Sequence, residues 1–324
     1  MEALAHMGPT KAPGPNGLRA VFFQKHWLST REGVITTCLH LLNDKGNLDS
    51  LNHTHITLVP KVAKPRKVTE FRPISLCNVV YKIIGKAIAN RLKPTLSQII
   101  SPALSAFIPN RLIVDNVIIG YECLHKIRHS KSKRNGLVAL KLDISKAYDR
   151  VEWYFLEETM RKLGFSNQWI NLIMRCITTV SYLVIINRVP RGLIFPERGL
   201  RQRCPLSPYM FLLCAEVFYS LLSQAERNQQ IKGLRFTKDV TISHLLFADD
   251  SLIFTRAAVA DCKHLKGLFD TYAKASGQIF NFEKSSMFFS GKISEGQIST
   301  IKSIFKLEVV PKYERYLGLP SMIS

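Results

Sequence analysis

An α+β fold, with helices packed on a mostly antiparallel sheet, is predicted by three observations. Short apolar runs have strand length, longer segments keep a helical period, and two of the runs are joined only by a tight acidic turn. The segment Lys11-Ala12-Pro13-Gly14-Pro15-Asn16-Gly17 is rich in turn formers and leads into a helix through Phe22, Phe23, Trp27 and Leu28. Asn52 to Val59 alternates like a strand, which Pro60 ends. From Val79 to Leu92, Val80, Ile83, Ile84, Ala87, Ile88 and Leu92 fall on one helical face, with Lys82, Lys86 and Arg91 elsewhere. A helix over about 114–128 follows. The turn Asn135-Gly136 then introduces a buried strand, Leu137 to Asp143, and helical spacing resumes from Ile144 to Arg161 through Ala147, Val151 and Phe155.

The next elements are helices over about 151–164 and 166–178, a strand over 181–187 and a loop over 191–205. A helix covers 208–227, and Pro208 suits its first turn. His244 to Phe254 reads as strand, acidic tip, strand, the pattern of a β-hairpin. The last clear element is a helix over 261–275, with Leu265, Leu268, Phe269 and Tyr272 on one face and Ser276-Gly277-Gln278 ending it.

Composition narrows the partners. The chain has 324 residues, enough for one large domain or two subdomains, and a formal net charge of +21. Between Thr57 and Lys93 the cations Lys61, Lys64, Arg66, Lys67, Arg72, Lys82, Lys86, Arg91 and Lys93 face only Glu70. Lys126, Arg128, Lys131, Lys133, Arg134 and Lys141 follow with no acid between them. Such stretches favour a polyanion, and nucleic acid is the commonest one inside cells; the ordinary alternative is solvated helix faces on a merely basic protein. The seven cysteines are scattered without CxxC spacing, which argues for free thiols and against a zinc site. Met1 to Pro15 lacks the apolar core of a signal peptide, and every apolar stretch of membrane-spanning length is interrupted by Lys or Arg. An intracellular location is expected.

In so basic a chain, Asp249 and Asp250 stand out between the apolar runs His244–Phe247 and Ser251–Phe254, and Asp143 ends another apolar strand. Each has an ordinary reading: Asp-Asp is a common surface turn, and Asp143 is placed to cap a helix. If the strands are neighbours in one sheet, the three carboxylates converge. Their repulsion then requires a compensating cation, and oxygen-only ligands select a hard ion such as Mg²⁺.

Phe247-Ala248-Asp249-Asp250, with Leu142-Asp143-Ile144-Ser145-Lys146-Ala147-Tyr148-Asp149-Arg150-Val151 upstream, resembles the catalytic motifs of reverse transcriptases. The likeness is specifically to those of LINE-type, non-LTR retrotransposons of plants. Lys11 to Gly17, Phe71-Arg72-Pro73-Ile74-Ser75-Leu76, Arg198-Gly199-Leu200-Arg201-Gln202, Pro205-Leu206-Ser207-Pro208 and Tyr316-Leu317-Gly318-Leu319-Pro320 all fall in that family's order. The resemblance covers about residues 8–324. It implies a right-hand polymerase fold with fingers over 1–135, a palm over 136–290 and the start of a truncated thumb over 291–324. It further implies an RNA-directed DNA polymerase that extends a DNA primer on an RNA template from deoxynucleoside triphosphates, with two Mg²⁺ ions and a nuclear location.

By the same resemblance Asp143, Asp249 and Asp250 hold the ions, and Lys61, Arg72, Tyr148, Gln202 and Lys284 bind the nucleotide. Lys61 and Arg72 grip the triphosphate, Tyr148 excludes a 2′-hydroxyl, and Lys284 protonates pyrophosphate. For Tyr148 the ordinary reading is a packed core residue; for Lys61 and Lys284 it is a solvated lysine. The sequence departs from the family at Asn16, where Asp is usual, and at Arg203, where glycine is usual. Endonuclease and C-terminal segments are absent, so the chain reads as a fragment. A non-catalytic nucleic-acid-binding remnant is therefore the alternative, and a nucleotide cyclase palm is disfavoured by the basic stretches.

Overall fold

Most of the longer strands of this chain form where β-branched and large apolar residues run without a helical period. The computed structural model describes residues 2–43, 46–130, 136–291, 293–311, 315–317 and 319–320. Its strands are β1 His53–Pro60, β2 Phe71–Cys77, β3 Leu137–Asp143, β4 Ser181–Ile186, β5 Val189–Ile194, β6 Leu234–Arg235, β7 Thr241–Ile242, β8 His244–Phe247, β9 Asp250–Arg256, β10 Ser286–Phe289, β11 Glu308–Val309, β12 Arg315–Tyr316 and β13 Leu319–Pro320. The chain divides into two compact units, one of residues 1–95 with 151–210, the other of residues 96–150 with 211–324.

In the first unit β1 pairs antiparallel with β2 and parallel with β4, and β5 closes the order β2-β1-β4-β5. An arginine is buried within this unit. Arg201 is 5% exposed, lies 3.8 Å from the Tyr81 ring centroid, and donates to Thr54 Oγ1 at 3.2 Å and the Cys176 carbonyl at 3.0 Å. A guanidinium taken from water needs such partners, and cation–π contact on a desolvated ring adds about 2 kcal/mol.

In the second unit the sheet order is β11-β10-β3-β9-β8. Strand β3 is central, with Val138, Ala139, Leu140 and Leu142 all buried, which is why it reads as a near-continuous apolar run. On one face Cys123, Leu124 and Ile127 of helix Ile113–His129 pack with Ala139, Leu252 and Phe254. Tyr316 joins this cluster, and a Cβ on Gly120 would meet its ring at 2.9 Å, so only glycine admits that contact. Phe218, Phe269, Tyr272 and Phe280 form a second aromatic group, with the Phe218–Tyr272 centroids 4.8 Å apart.

Several expected boundaries move. No helix begins at Ile144; residues 145–150 form turns, and the helix runs Trp153–Lys162. Lys146 takes a left-handed φ of 52° and Gln278 Nε2 donates to the Ala147 carbonyl at 2.9 Å, so the segment is held out of helical register by tertiary contacts. The expected loop 191–205 begins instead as strand β5. The helix from Val79 continues through Pro94 to Ile99. Strands β2 and β10 and helix Glu295–Phe305 are additional elements. Lys131, Lys133, Arg134, Asn135 and Gly318 lie outside the described residues. All seven cysteines are buried and free, and no described helix is long and apolar enough to cross a membrane.

Candidate active site

The β8–β9 hairpin turns through two residues, Ala248 and Asp249, with Phe247 opposite Asp250. Two-residue hairpin loops match the strand twist when the first loop residue has positive φ, and Ala248 supplies it at 52°. An alanine held there costs about 1–2 kcal/mol. Asp249 therefore stands at the tip, while Asp250 is the first residue of β9 rather than a tip residue.

Strands β3 and β9 pair antiparallel, and their register places Asp143 opposite Asp250. Such partners have Cα atoms about 4.5–5.5 Å apart. The three carboxylates thus gather at one end of one sheet. Burial and then Asp249 push the Asp250 pKa up, Asp143 adding to the rise while Lys141 opposes it. For Asp143 burial again raises the pKa, Lys284 pulls it down, and Asp249 raises it.

The stretch after Gln278 secures this end of the sheet. Asn281 N donates to the Asp143 carbonyl at 2.8 Å, and Asp143 N donates to Ser285 Oγ at 3.0 Å. Ser145 N donates to the Ile279 carbonyl at 2.8 Å. These bonds bring Lys284 beside Asp143 and fix the turn that carries Tyr148. The Tyr148 ring is half-buried and stacks on Phe211 at 5.1 Å and 16°, and its pKa is raised by burial and by Asp249. Tyr148 is thus both packed and adjacent to the carboxylates.

Lys61, Arg72 and Gln202 belong to the first unit. Lys61 follows β1, its N–H donates to the Glu70 carbonyl at 2.8 Å, and Arg72 pairs in register with Val59. Both cations therefore sit at one end of the β1–β2 pair, and Lys61 Nζ donates to the Thr69 carbonyl at 3.0 Å. Gln202 is half-buried in the turn after Arg201.

Lys141 is a part of the site that the motifs did not indicate, and Asn281 and Ser285, which flank Lys284 in the motif Asn281-Phe282-Glu283-Lys284-Ser285, were given no role by it. Lys141 had a signal, because residues two apart on a strand share a face and it precedes Asp143 by two. The bonds of Asn281 and Ser285 to Asp143 had no signal, since strand β10 behind them was not legible.

The donor set is oxygen-only, and its members repel one another in partly buried surroundings, which suits a hard divalent cation. The carboxylates do not form a closed cage: among the described residues no group of three or more His, Cys, Asp or Glu side chains is disposed to hold a metal ion. The site fits such an ion in ligand chemistry.

The family model described as reverse transcriptase (RNA-dependent DNA polymerase) matches residues 59–320. The chain belongs to the reverse transcriptase family. It is 32% identical over 321 residues to an uncharacterized 149 kDa protein of transposon TX1 from Xenopus laevis, covering 98% of this chain and 24% of that protein. It is 24% identical over 247 residues to a retrovirus-related Pol polyprotein from a type-2 retrotransposable element of Drosophila melanogaster, covering 76% of this chain and 22% of that one. The chain thus spans about a quarter of these relatives' length. Among solved structures it is similar to telomerase from Candida tropicalis, with a TM-score of 0.48 and 16% identity over 81% of this chain and 44% of the other. It is a reverse transcriptase domain of the non-LTR retrotransposon type, and its own fold is α+β, with helices on mixed, mostly antiparallel sheets.

Proposed function

We propose that this domain extends a DNA primer on an RNA template, and that Asp143, Asp249 and Asp250 are its catalytic carboxylates. The observation that carries the reading is the register of β3 and β9, which sets Asp143 against Asp250 with Asp249 at the adjoining turn. The reaction is in-line attack of a 3′-hydroxyl on an α-phosphate with pyrophosphate leaving, and it is governed by positioning and charge neutralisation. Two Mg²⁺ ions held by the three aspartates would supply that neutralisation and lower the pKa of the attacking hydroxyl.

The chain's own groups divide the remaining work. Tyr148, stacked on Phe211 beside Asp249, offers a ring face against which a deoxyribose fits and a 2′-hydroxyl collides. Lys284, next to Asp143, is the candidate to deliver a proton to the departing pyrophosphate. Lys61, Arg72 and Gln202 contact the incoming nucleotide, Arg72 being suited to bidentate phosphate contact. The template is held through its phosphates, without base reading.

In this reading residues 1–135 are fingers, 136–290 palm and 291–324 the start of a thumb. The motif order carries the further proposals of a plant source and a nuclear location. Primer extension on a homopolymer RNA template with Mg²⁺, wild type against Asp250→Asn, tests the function. A second reading, nucleic-acid binding without catalysis, is favoured by Arg203, whose φ of 67° is a glycine conformation carried by a long cation.

A further inference from the structure

In the first unit a row of aliphatic side chains lies uncovered on the helix Trp27–Leu42. Leu28 is 83% exposed, Ile35 46% and Leu39 53%, and with half-buried Leu42 they follow one another at helical spacing along one face. From Leu28 to Leu42 the row runs about 21 Å, at 1.5 Å per residue. Arg31 and Glu32 sit between Leu28 and Ile35 and offset each other in charge. Single exposed leucines are ordinary, whereas a contiguous apolar row points to a surface that meets something.

The row ends in a pocket of about 550 Å³. Leu39 and Leu42 line it together with Arg91 and with Trp169, Leu172 and Arg175 of the helix Asn167–Thr178. No carboxylate is among the described lining residues. Arg91 is exposed and has no hydrogen-bond or ion-pair partner among the described residues. Arg175 is half-buried, and its Nη2 donates to the Gly46 carbonyl at 2.7 Å. The indole Nε1 of Trp169 is buried and finds no acceptor among the described residues. Buried donors without acceptors are rare, and an acceptor arriving from outside removes the cost. Ser166 Oγ accepts from Trp169 N at the start of this helix, so the positive end of its dipole also favours an anion here.

We propose that the row and the pocket together dock an acidic amphipathic helix of a partner protein. Its apolar face lies along Leu28, Ile35 and Leu39, and one of its carboxylates enters the pocket, where Arg91 and the Trp169 indole N–H receive it. Charge complementarity selects an acidic partner, because the chain carries +21 and the pocket holds a cation with no described counter-ion. Nucleic acid does not suit the row, since bases stack on aromatic rings and these side chains are aliphatic. The surface uses none of the residues assigned to polymerisation, so its failure would leave that reading standing.

The test is fluorescence anisotropy of a fluorescein-labelled peptide of about 16 residues, long enough to span the row. It carries leucines at helical spacing and glutamates elsewhere, and is titrated with the full chain. Arg91→Gln, Leu28→Ser and Ile35→Ser should each weaken binding several-fold without lowering the melting midpoint, because all three side chains are exposed. Binding should shift the tryptophan emission of wild type, and the shift should be largely lost in Trp169→Phe. A scrambled peptide of the same composition, and polyglutamate of the same length, should bind far more weakly. Equal binding of either would overturn the proposal by reducing the contact to net charge, and binding left intact by Arg91→Gln would remove the pocket from it. Oligouridylate that displaces the peptide at peptide-like concentrations would reassign the surface to nucleic acid. A wild-type chain that sediments as a dimer, with Leu28→Ser a monomer, would give the row to a second copy instead.

Discussion

Asp143 and Asp250 face each other across neighbouring antiparallel strands, each at the end of an apolar run and each with its pKa raised, burial being the largest cause. Groups of like charge in that relationship cost stability unless something offsets them, and that cost can be measured.

Asp250→Asn should therefore stabilise the metal-free fold near neutral pH. A carboxyl whose folded pKa lies above its unfolded value binds more protons in the native state, so stability falls as pH rises through that interval. Melting curves should show the variant above wild type at pH 7, with the gap closing on acidification. Adding Mg²⁺ should raise the wild-type midpoint more than the variant's. A variant that melts lower at pH 7 would mean that Asp250 contributes a favourable interaction instead.

His244 should act in the opposite sense. Burial holds its pKa down to about 4, from 6.5, with Nδ1 2.7 Å from Ser243 Oγ and the ring 4.7 Å from that of Tyr219. Above 6.5 both states are neutral and the histidine adds no pH dependence. As pH falls from 6.5 towards 4 the unfolded chain takes up the proton first, and up to about 1.4 kcal/mol per pH unit is lost. Denaturant titrations of wild type and His244→Gln over that range should differ in slope by this component, and parallel curves would contradict it.

The readability of these elements differed for physical reasons. Strand β3 and the strands of the β8–β9 hairpin were legible because they are largely buried and read as near-continuous apolar runs. Strand β5 was not: Pro190, Arg191 and Gly192 punctuate it, and its residues are exposed throughout, so no core imposes a pattern. Strand β10 is four residues long, too short for a period to emerge. The turn at Ala147 and Tyr148 carries a helical spacing that Gln278, 131 residues away in sequence, overrides. Of the site, the carboxylates, Tyr148 and Lys284 were accessible through their motifs. Asn281 and Ser285 depend on a long-range bond to Asp143 that no local signal encodes.

Arg203→Gly should stabilise the fold by about 1 kcal/mol, because glycine adopts φ 67° without the Cβ clash that other residues meet. Chemical denaturation measures this directly. An unchanged or lowered midpoint would show that the Arg203 side chain returns, through its contacts, what the backbone loses.

Tyr148→Val should raise the incorporation of ribonucleotides relative to deoxynucleotides, since a shorter side chain clears space for a 2′-hydroxyl beside Asp249. Single-nucleotide extension with matched ribo- and deoxynucleotide pairs reads this ratio. Tyr148→Phe should keep the wild-type ratio, because the ring and its stacking on Phe211 are retained. A ratio unmoved by valine would reduce Tyr148 to a packing residue.

The central claim is that Asp143, Asp249 and Asp250 form one catalytic centre for strand extension. Its most direct test is primer extension on an RNA template with Mg²⁺, with primer-template affinity measured on the same preparations of wild type and Asp250→Asn. The account predicts extension by wild type, none by the variant, and affinities that agree within a few-fold. Undiminished extension by Asp250→Asn would contradict it.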